Sequence, residues 1–247
     1  MRENCISSFV GAQSQSGRIG TIPIYPMALI GLLPASGKAS RVGGIPKFCL
    51  PISPQQCLLQ WHVQAMLEVC DLVKVSTRPM WIPIVEAMHL DVQLMAREPS
   101  TMSEAVQAMM QGHDNNDAFV IGMPDTYIMN ATGNYYRQMV EEAGDVVLAA
   151  WRCTVNLQGR VGQIRLGRPN KVIASRDKDP TCRFEHMWGA MVLRGDARHV
   201  DPVRNHPGEQ LQDWIDEGLS VNAVKPDGAY CDIGNFDGLK QFYRDLP

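Results

Sequence analysis

Several patterns that identify common kinds of site are missing from this chain of 247 residues. It contains no C-x-x-C pair and no H-E-x-x-H segment, which argues against a zinc ribbon, a disulfide framework and a zincin-type metal site. The seven cysteines are scattered, and several lie in apolar runs, as small core residues of a reducing compartment do. The Walker A and G-x-G-x-x-G phosphate loops are also absent.

The chain has little excess charge and no long apolar run. Its formal net charge is −3 at pH 7, so no basic field indicates a nucleic-acid partner. No apolar run approaches the ~20 residues that a membrane-spanning helix needs. We therefore predict a cytoplasmic protein that binds neither nucleic acid nor membrane.

The first 26 residues differ in composition from the rest of the chain. Residues 11–20 are polar and rich in Gly, Ser and Gln, and the segment lacks the long apolar core of a signal peptide. We predict a flexible N-terminal extension over residues 1–26 and a single domain over residues 27–247.

Strand and helix patterns alternate through the first 151 residues. The predicted strands are residues 27–33, 72–76, 92–96, 118–121 and 145–151. The predicted helices are residues 54–70, 83–89 and 134–142, and a further helix that Ser100 or Thr101 caps and that runs to about residue 111. This alternation predicts an α/β fold whose central sheet is mostly parallel and flanked by helices. Shorter segments after residue 152 predict antiparallel additions that make the sheet mixed.

A loop of small residues follows the first predicted strand. It reads Ala35-Ser36-Gly37-Lys38-Ala39-Ser40-Arg41, and a Pro46-Lys47 pair comes just beyond it. Small side chains let backbone N–H groups approach the oxygens of a triphosphate, and ligands in open α/β sheets bind outside the carboxyl ends of strands. The loop, with Arg41 and Lys47 as fixed cations, is therefore a candidate phosphate site. An ordinary strand-to-helix turn is the alternative.

Two aspartates are candidate metal ligands. Asp125 follows the predicted strand at residues 118–121, and Asp232 lies in a short segment near the end of the chain. Two such carboxylates at the ligand edge of the sheet can hold Mg²⁺ while it bridges phosphate oxygens. For either residue alone, a cap or turn role is an equally good reading. Lys178, which follows a predicted strand at residues 171–175, is a third candidate.

These segments together resemble the sugar-phosphate nucleotidylyltransferases over about residues 27–239, and especially short, glucose-1-phosphate thymidylyltransferase-like members without a C-terminal β-helix. Residues 35–41 look like the family's A-G-G-x-G-T-R motif, and residues 46–52 resemble its P-K-x-L-x-P-[IV] continuation. Residues 160–162, 177–180, 188–190 and 232–239 are similar to its Y-G-V, E-K-P, T-G-[IL] and D-[IT]-G-T-P-E-D-L segments.

The resemblance implies a Rossmann-like nucleotide-diphospho-sugar transferase fold and an Mg²⁺-dependent reaction of an NTP with a sugar 1-phosphate, giving an NDP-sugar and pyrophosphate. Arg41 and Lys47 would be the catalytic residues, and Asp125 and Asp232 would bind Mg²⁺. The implied nucleotide contacts are Ala35, Ser36, Gly37, Lys38 and Ser103. The implied sugar-phosphate contacts are Gly162, Lys178 and Gly189. A homo-oligomer would be in keeping with this family.

The chain departs from the family pattern at several positions, which include Ala39, Ala96 and Thr101. Ala39 replaces a loop glycine, and a left-handed backbone at this position would cost about 1 kcal/mol. Thr101 replaces a second glycine, and Ala96 lies about where thymidylyltransferases carry a glutamine that reads the base.

Three other functions therefore stay open. The first is a cytidylyltransferase that acts on phosphocholine or a phosphonate, and the second is a catalytically degenerate member that binds nucleotide. The third is a glycosyltransferase of related architecture, but residues 122–126 lack the Asp-x-Asp motif that it would need.

Overall fold

A computed structural model describes residues 28–233 and 236–245, without the side chain of Arg41. The predicted extension over residues 1–26, and its boundary, lie outside the described residues. The strands are β1 (Leu29–Pro34), β2 (Pro51–Ser53), β3 (Gln56–Cys57), β4 (Leu72–Thr77), β5 (Gln93–Ala96), β6 (Ala118–Ile121), β7 (Thr126–Met129), β8 (Val146–Arg152), β9 (Gly162–Leu166), β10 (Val172–Asp177), β11 (His186–Leu193), β12 (Val221–Val224) and β13 (Ala229–Asp232). The helices are α1 (Leu58–Leu67), α2 (Ile82–Glu86), α3 (Met102–Met110), α4 (Tyr135–Glu141), α5 (Leu211–Asp216) and α6 (Phe236–Asp245).

Nine of these strands form one mixed sheet. Seven follow the order β5–β4–β1–β6–β11–β8–β12, while β9 and β10 extend the sheet beside the first half of β11. The pairs of β1 with β4 and β6, of β4 with β5 and of β8 with β12 are parallel, whereas β11 is antiparallel to its neighbours. The predicted mixed, mostly parallel sheet is confirmed.

Strand β1 is apolar throughout because helices cover both faces of the sheet. Ile30 and Leu32 pack in the cluster that α3 and α5 complete, whereas Leu33 packs in the cluster that α1 and α4 complete. Each of these side chains is at most 1% exposed and stabilises the fold by roughly 2 kcal/mol through burial. Leu32 pairs with Ile121 at the end of β6, so the loops after β1 and β6 leave the sheet at the same edge.

The chain also contains elements that the sequence patterns did not predict. Strands β7 and β13 pair with each other in a separate two-stranded sheet, and β12 adds a parallel strand to the edge of the main sheet. Each is only four residues long, which is too short for a clear periodic pattern. The predicted cap of α3 is confirmed, because the hydroxyl of Thr101 accepts the backbone N–H of Glu104 at 3.0 Å. Of the helices described, none is long and apolar enough to cross a membrane.

Candidate active site

A cavity of about 540 Å³ lies at the edge of the sheet where β1 and β6 end. Its walls are the loop after β1, the first turn of α3, the 3₁₀ turn that begins at Lys47, the segment before β7, and Asn205 from the loop before α5. This volume is in the usual range of small-ligand pockets. The predicted nucleotide contacts that line it are Ala35, Ser36, Gly37 and Lys38.

The loop after β1 is anchored at its start and open at its tip. The N–H of Ala35 donates to the carbonyl oxygen of Ser76 at 2.8 Å, and the hydroxyl of Ser36 lies 3.2 Å from that of Ser76. These contacts tie the loop to the end of β4. A Cβ added to Gly37 would meet no atom within 4 Å, so the tip faces open space. A loop of this form leaves room for an anionic ligand beside its backbone.

Ala39, which replaces a loop glycine of the resembled family, adopts a left-handed conformation with φ 52° and ψ 23°. For a residue with a Cβ this conformation costs roughly 1–2 kcal/mol. The surrounding turn holds it there, because the N–H groups of Val42 and Gly44 both donate to the Ala39 carbonyl at 3.0 Å. The loop therefore keeps a backbone shape that usually requires glycine.

The structure joins Lys47 and Asp125 across the cavity. The Lys47 ammonium lies 2.8 Å from Oδ2 of Asp125, and their side chains are 13% and 36% exposed. Phe48, the next residue, packs edge-to-face against Trp81 at 5.8 Å between ring centroids, which fixes the turn that carries Lys47. The cation is thus held inside the cavity beside a carboxylate.

The backbones of Asp125 and Asp232 lie next to each other although 107 positions separate them in the sequence. Asp232 pairs with Thr126 in the ladder between β7 and β13, and the N–H of Ile233 donates to the carbonyl oxygen of Asp125 at 3.2 Å. Both residues therefore belong to one small two-stranded platform, and Asp125 lines the cavity. Two carboxylates supply the hard oxygen ligands that Mg²⁺ prefers, so this pair fits such an ion.

A buried histidine supports this platform from below. His62 lies fully inside the protein, with Nε2 2.9 Å from the carbonyl oxygen of Thr126 and Nδ1 2.8 Å from the hydroxyl of Tyr136. Since a carbonyl only accepts, Nε2 carries the proton and Nδ1 accepts from Tyr136. Burial lowers the pKa of His62 from 6.5 to about 4, against smaller opposing effects of the Thr126 hydrogen bond and the Asp125 charge. His62 is therefore neutral near pH 7.

Gly162 and Gly189, the predicted sugar contacts, are packed against aromatic rings rather than placed on the cavity. A Cβ on Gly162 would overlap the indole of Trp188, and one on Gly189 would overlap the ring of Tyr230. Gly189 also forms a bulge in β11 where the register with β8 shifts. The small size of these residues is thus required by packing.

The remaining predicted residues differ in placement. Ser103 is completely buried in α3 and does not line the cavity; Thr101 and Met102 do so in its place. Lys178 directly follows β10, and its ammonium lies 2.9 Å from Nε2 of His206, whose neighbour Asn205 lines the cavity. The side chain of Arg41 lies outside the described residues.

Sequence reasoning missed two features that bear on the site. Asn205 and His206 lie in an irregular loop with no periodic pattern, so no sequence signal placed them near the cavity. Asp177, His206 and Glu209 also bring together ligand atoms that lie within 4.8 Å of one another, a second set that could hold a metal ion.

The comparisons with known proteins agree with this geometry. A family model described as a MobA-like NTP transferase domain matches residues 31–178, which is more than half of the chain. A search of curated proteins found no significant match.

Several solved structures share the fold. A UDP-glucose pyrophosphorylase in complex with UDP-glucose is 14% identical, with a TM-score of 0.68 over 88% of this chain and 98% of that chain. An inositol-1-phosphate CTP transferase from T. maritima is 11% identical, with a TM-score of 0.68 over 89% of this chain and 96% of that chain. A putative glucose-1-phosphate thymidylyltransferase from Bacillus anthracis, in complex with sucrose, is 14% identical, with a TM-score of 0.69 over 89% of this chain and 97% of that chain.

At these identities the structures establish the fold, and the family model establishes the kind of domain. The resemblance stated from the motifs is confirmed. The chain belongs to the MobA-like NTP transferase domain family and is a nucleotidyltransferase.

Proposed function

We propose that this enzyme transfers a nucleotidyl group from an NTP to a sugar 1-phosphate, releasing pyrophosphate, in a reaction that depends on Mg²⁺. The observation that carries the proposal is a cavity that combines an open small-residue loop with the Lys47–Asp125 ion pair, while Asp232 pairs along the backbone with the residue after Asp125. The loop supplies backbone groups for phosphate oxygens, the lysine supplies positive charge, and the two carboxylates supply a cation site.

The reaction requires charge neutralisation and alignment rather than a strong base. An anionic oxygen of the acceptor phosphate attacks the α-phosphorus, and the bond from that phosphorus to the oxygen that bridges to the β-phosphate breaks. Pyrophosphate then leaves with the bonding electrons. Because nucleophile and electrophile are both anionic, the main barriers are like-charge repulsion and orientation.

Each side chain has a role in that scheme. Lys47 neutralises the charge that develops on the α-phosphate, and its bond to Asp125 holds the ammonium inside the cavity. Asp125 and Asp232 would hold Mg²⁺, which supplies electrostatic stabilisation of the phosphate oxygens when bound. Arg41 binds the β- and γ-phosphates, and Lys178 binds the acceptor phosphate. The Arg41 and Lys178 roles rest on the family resemblance.

One observation favours a second acceptor class. The glycines expected to meet a sugar are covered by the rings of Trp188 and Tyr230, so their surroundings differ from an open sugar pocket. This favours an acceptor that carries a phosphate or phosphonate group but no sugar, such as phosphocholine or a phosphonate, with CTP as the donor. One structural neighbour is an inositol-1-phosphate CTP transferase, which supports CTP as a candidate donor.

Pyrophosphate release distinguishes these possibilities. The purified protein is incubated with Mg²⁺, one of ATP, CTP, GTP, UTP or dTTP, and one acceptor. The acceptors are glucose, mannose and glucosamine 1-phosphates, phosphocholine and a phosphonate. Release that requires one NTP together with a sugar 1-phosphate supports the proposal, and release with CTP and phosphocholine or the phosphonate supports the second candidate. Nucleotide binding without release in any combination would refute both and leave a degenerate member.

A further inference from the structure

The loop between β11 and α5 connects the nucleotide cavity to the end of β10. On the cavity side, the hydroxyl of Thr101 donates to the carbonyl of Pro202 at 3.0 Å, and the N–H of Met102 donates to the carbonyl of Asn205 at 2.8 Å. Asn205 itself lines the cavity. The next residue, His206, turns toward the residues that end β10.

His206 contacts both of the charged residues at the end of β10. Its Nε2 lies 2.9 Å from the ammonium of Lys178 and 3.1 Å from Oδ2 of Asp177, and the ammonium lies 3.6 Å from the same Oδ2. The side chains of His206 and Asp177 are 14% and 15% exposed, whereas that of Lys178 is 53% exposed. A long, exposed lysine is therefore held at its tip by two shielded groups.

The position of His206 is itself tightly fixed. Its ring packs against the indole of Trp188, with 6.0 Å between the centroids. Trp188 in turn fills the space where a Cβ on Gly208 would lie, so the turn after His206 is closely packed on the same ring. The imidazole thus has little freedom to follow Lys178 if that lysine moves.

We infer that His206 is a positioning residue that, together with Asp177, holds the ammonium of Lys178 next to the nucleotide cavity for the acceptor phosphate. This inference rests on the proposed function, because it takes Lys178 as the group that receives that phosphate. Fixing the lysine before binding reduces the rotamer freedom that it would otherwise lose when the acceptor binds.

Hydrogen-bond chemistry decides which partner Nε2 can serve. An ammonium only donates and a carboxylate only accepts, so Nε2 either accepts from Lys178 or donates to Asp177. The contact with Lys178 is the shorter of the two, at 2.9 Å against 3.1 Å. A bare Nε2 accepts from that ammonium and holds it in place.

The groups that face His206 are Asp177 and Lys178 from the end of β10 and Glu209 from its own turn. Burial raises the pKa of Asp177, but its contacts with His206 and Lys178 outweigh that effect and leave the pKa below its ordinary value. Asp177 is therefore an anion that attracts the Lys178 ammonium.

Asp177, His206 and Glu209 also have the donor set of a divalent transition-metal site. In the described structure the cation next to two of these groups is the Lys178 ammonium. A metal ion at this position would require Lys178 to leave His206, so binding of a metal here is an outcome that contradicts the inference.

The test compares His206→Ala, His206→Gln and the matched control His199→Ala. Gln places its amide near the position of Nε2 and can accept from Lys178. His199 lies exposed on the same loop. With the NTP and acceptor that the wild-type protein uses, the KM for each substrate and kcat are measured at neutral pH.

We expect His206→Ala to raise the KM for the acceptor on the order of tenfold, with less than a twofold change in the KM for the NTP. His206→Gln should restore most of the acceptor affinity, and His199→Ala should match the wild type.

Two results would overturn the inference: equal losses for both substrates, or no rescue by Gln. If the wild-type protein binds the acceptor with full affinity only when Zn²⁺ or Mn²⁺ is added, the inference is also overturned, in favour of a metal site. If the wild-type protein transfers to no acceptor, the proposed function fails. The contact is then tested with ¹³C-methylated lysines, where the Lys178 signal must shift in His206→Ala and stay unchanged in His199→Ala.

Discussion

The buried histidine beneath the aspartate platform should make the stability of the protein fall sharply in mild acid. In the unfolded chain His62 has its ordinary pKa of 6.5, whereas burial lowers its pKa to about 4 in the folded protein. Between pH 6.5 and about 4, His62 therefore binds a proton in the unfolded state but not in the folded state. The free energy of unfolding falls as the pH drops through this window, and the loss is complete below pH 4.

The size of this effect follows from the two pKa values. At about 1.4 kcal/mol for each pKa unit, the change from 6.5 to about 4 corresponds to a loss of about 3 kcal/mol. That is a large part of the 5–15 kcal/mol that typically stabilises a domain. Protonation would also reverse the bond between Nδ1 and Tyr136, so the hydroxyl would have to accept and its own proton would need another acceptor.

Urea denaturation at pH 7, 6, 5 and 4 measures this loss. His62→Gln serves as the reference, because its amide N–H can still donate to the Thr126 carbonyl but does not titrate. Other titrating groups cancel between the two proteins, so the wild type should lose about 3 kcal/mol more than the variant between pH 7 and pH 4. His199→Gln, at an exposed position, should follow the wild type. If the free energy of unfolding falls by the same amount with pH in the wild type and in His62→Gln, burial does not lower the pKa of His62.

Three further predictions concern the cavity and its packing. Lys47→Ala should lower kcat on the order of a hundredfold. It should change the free energy of unfolding by less than about 1 kcal/mol, because the lost ion pair is partly exposed. Steady-state kinetics and urea denaturation measure the two effects, and a wild-type kcat would exclude Lys47 from the mechanism. Asp232→Asn should move the Mg²⁺ titration of activity to higher concentrations, and an unchanged midpoint would rule out this ligand. Gly208→Ala should destabilise the fold by roughly 1–3 kcal/mol, because its Cβ would overlap Trp188. Gly133 faces open space, so Gly133→Ala should hardly change the free energy of unfolding in the same denaturation assay. Equal effects of the two substitutions would contradict the packing described.

The local patterns predicted the regular part of the fold well. The strand at residues 118–121 has the predicted bounds, and β1 is displaced by a residue or two from its predicted range. Thr101 caps α3 as predicted, because the cap depends only on residues three positions apart. Such features are visible in a sequence since their stabilising contacts are local or follow a simple period.

The short strands and the loop before α5 were not predictable in this way. Strand β13 pairs with β7 across about a hundred residues, and neither strand is long enough to show a clear pattern. His206 reaches Lys178 from an irregular loop, and its role depends on contacts with partners 28 or 29 positions away. Gly162 and Gly189 match family motifs, but only the fold shows that Trp188 and Tyr230 fill the space where a Cβ on these glycines would lie.

Contiguous residues were enough to predict the α/β class, the loop of small residues after the first strand, and the acidic and basic residues proposed for the site. These features depend on composition, period and short motifs. The folded structure was needed to show that Lys47 pairs with Asp125 and that the backbone of Asp232 lies beside that of Asp125. It was also needed to show that Ser103 is buried away from the cavity and that His206 contacts Lys178. Strand pairing and side-chain packing bring together groups far apart in the chain, so their distances arise only when the whole sheet has formed.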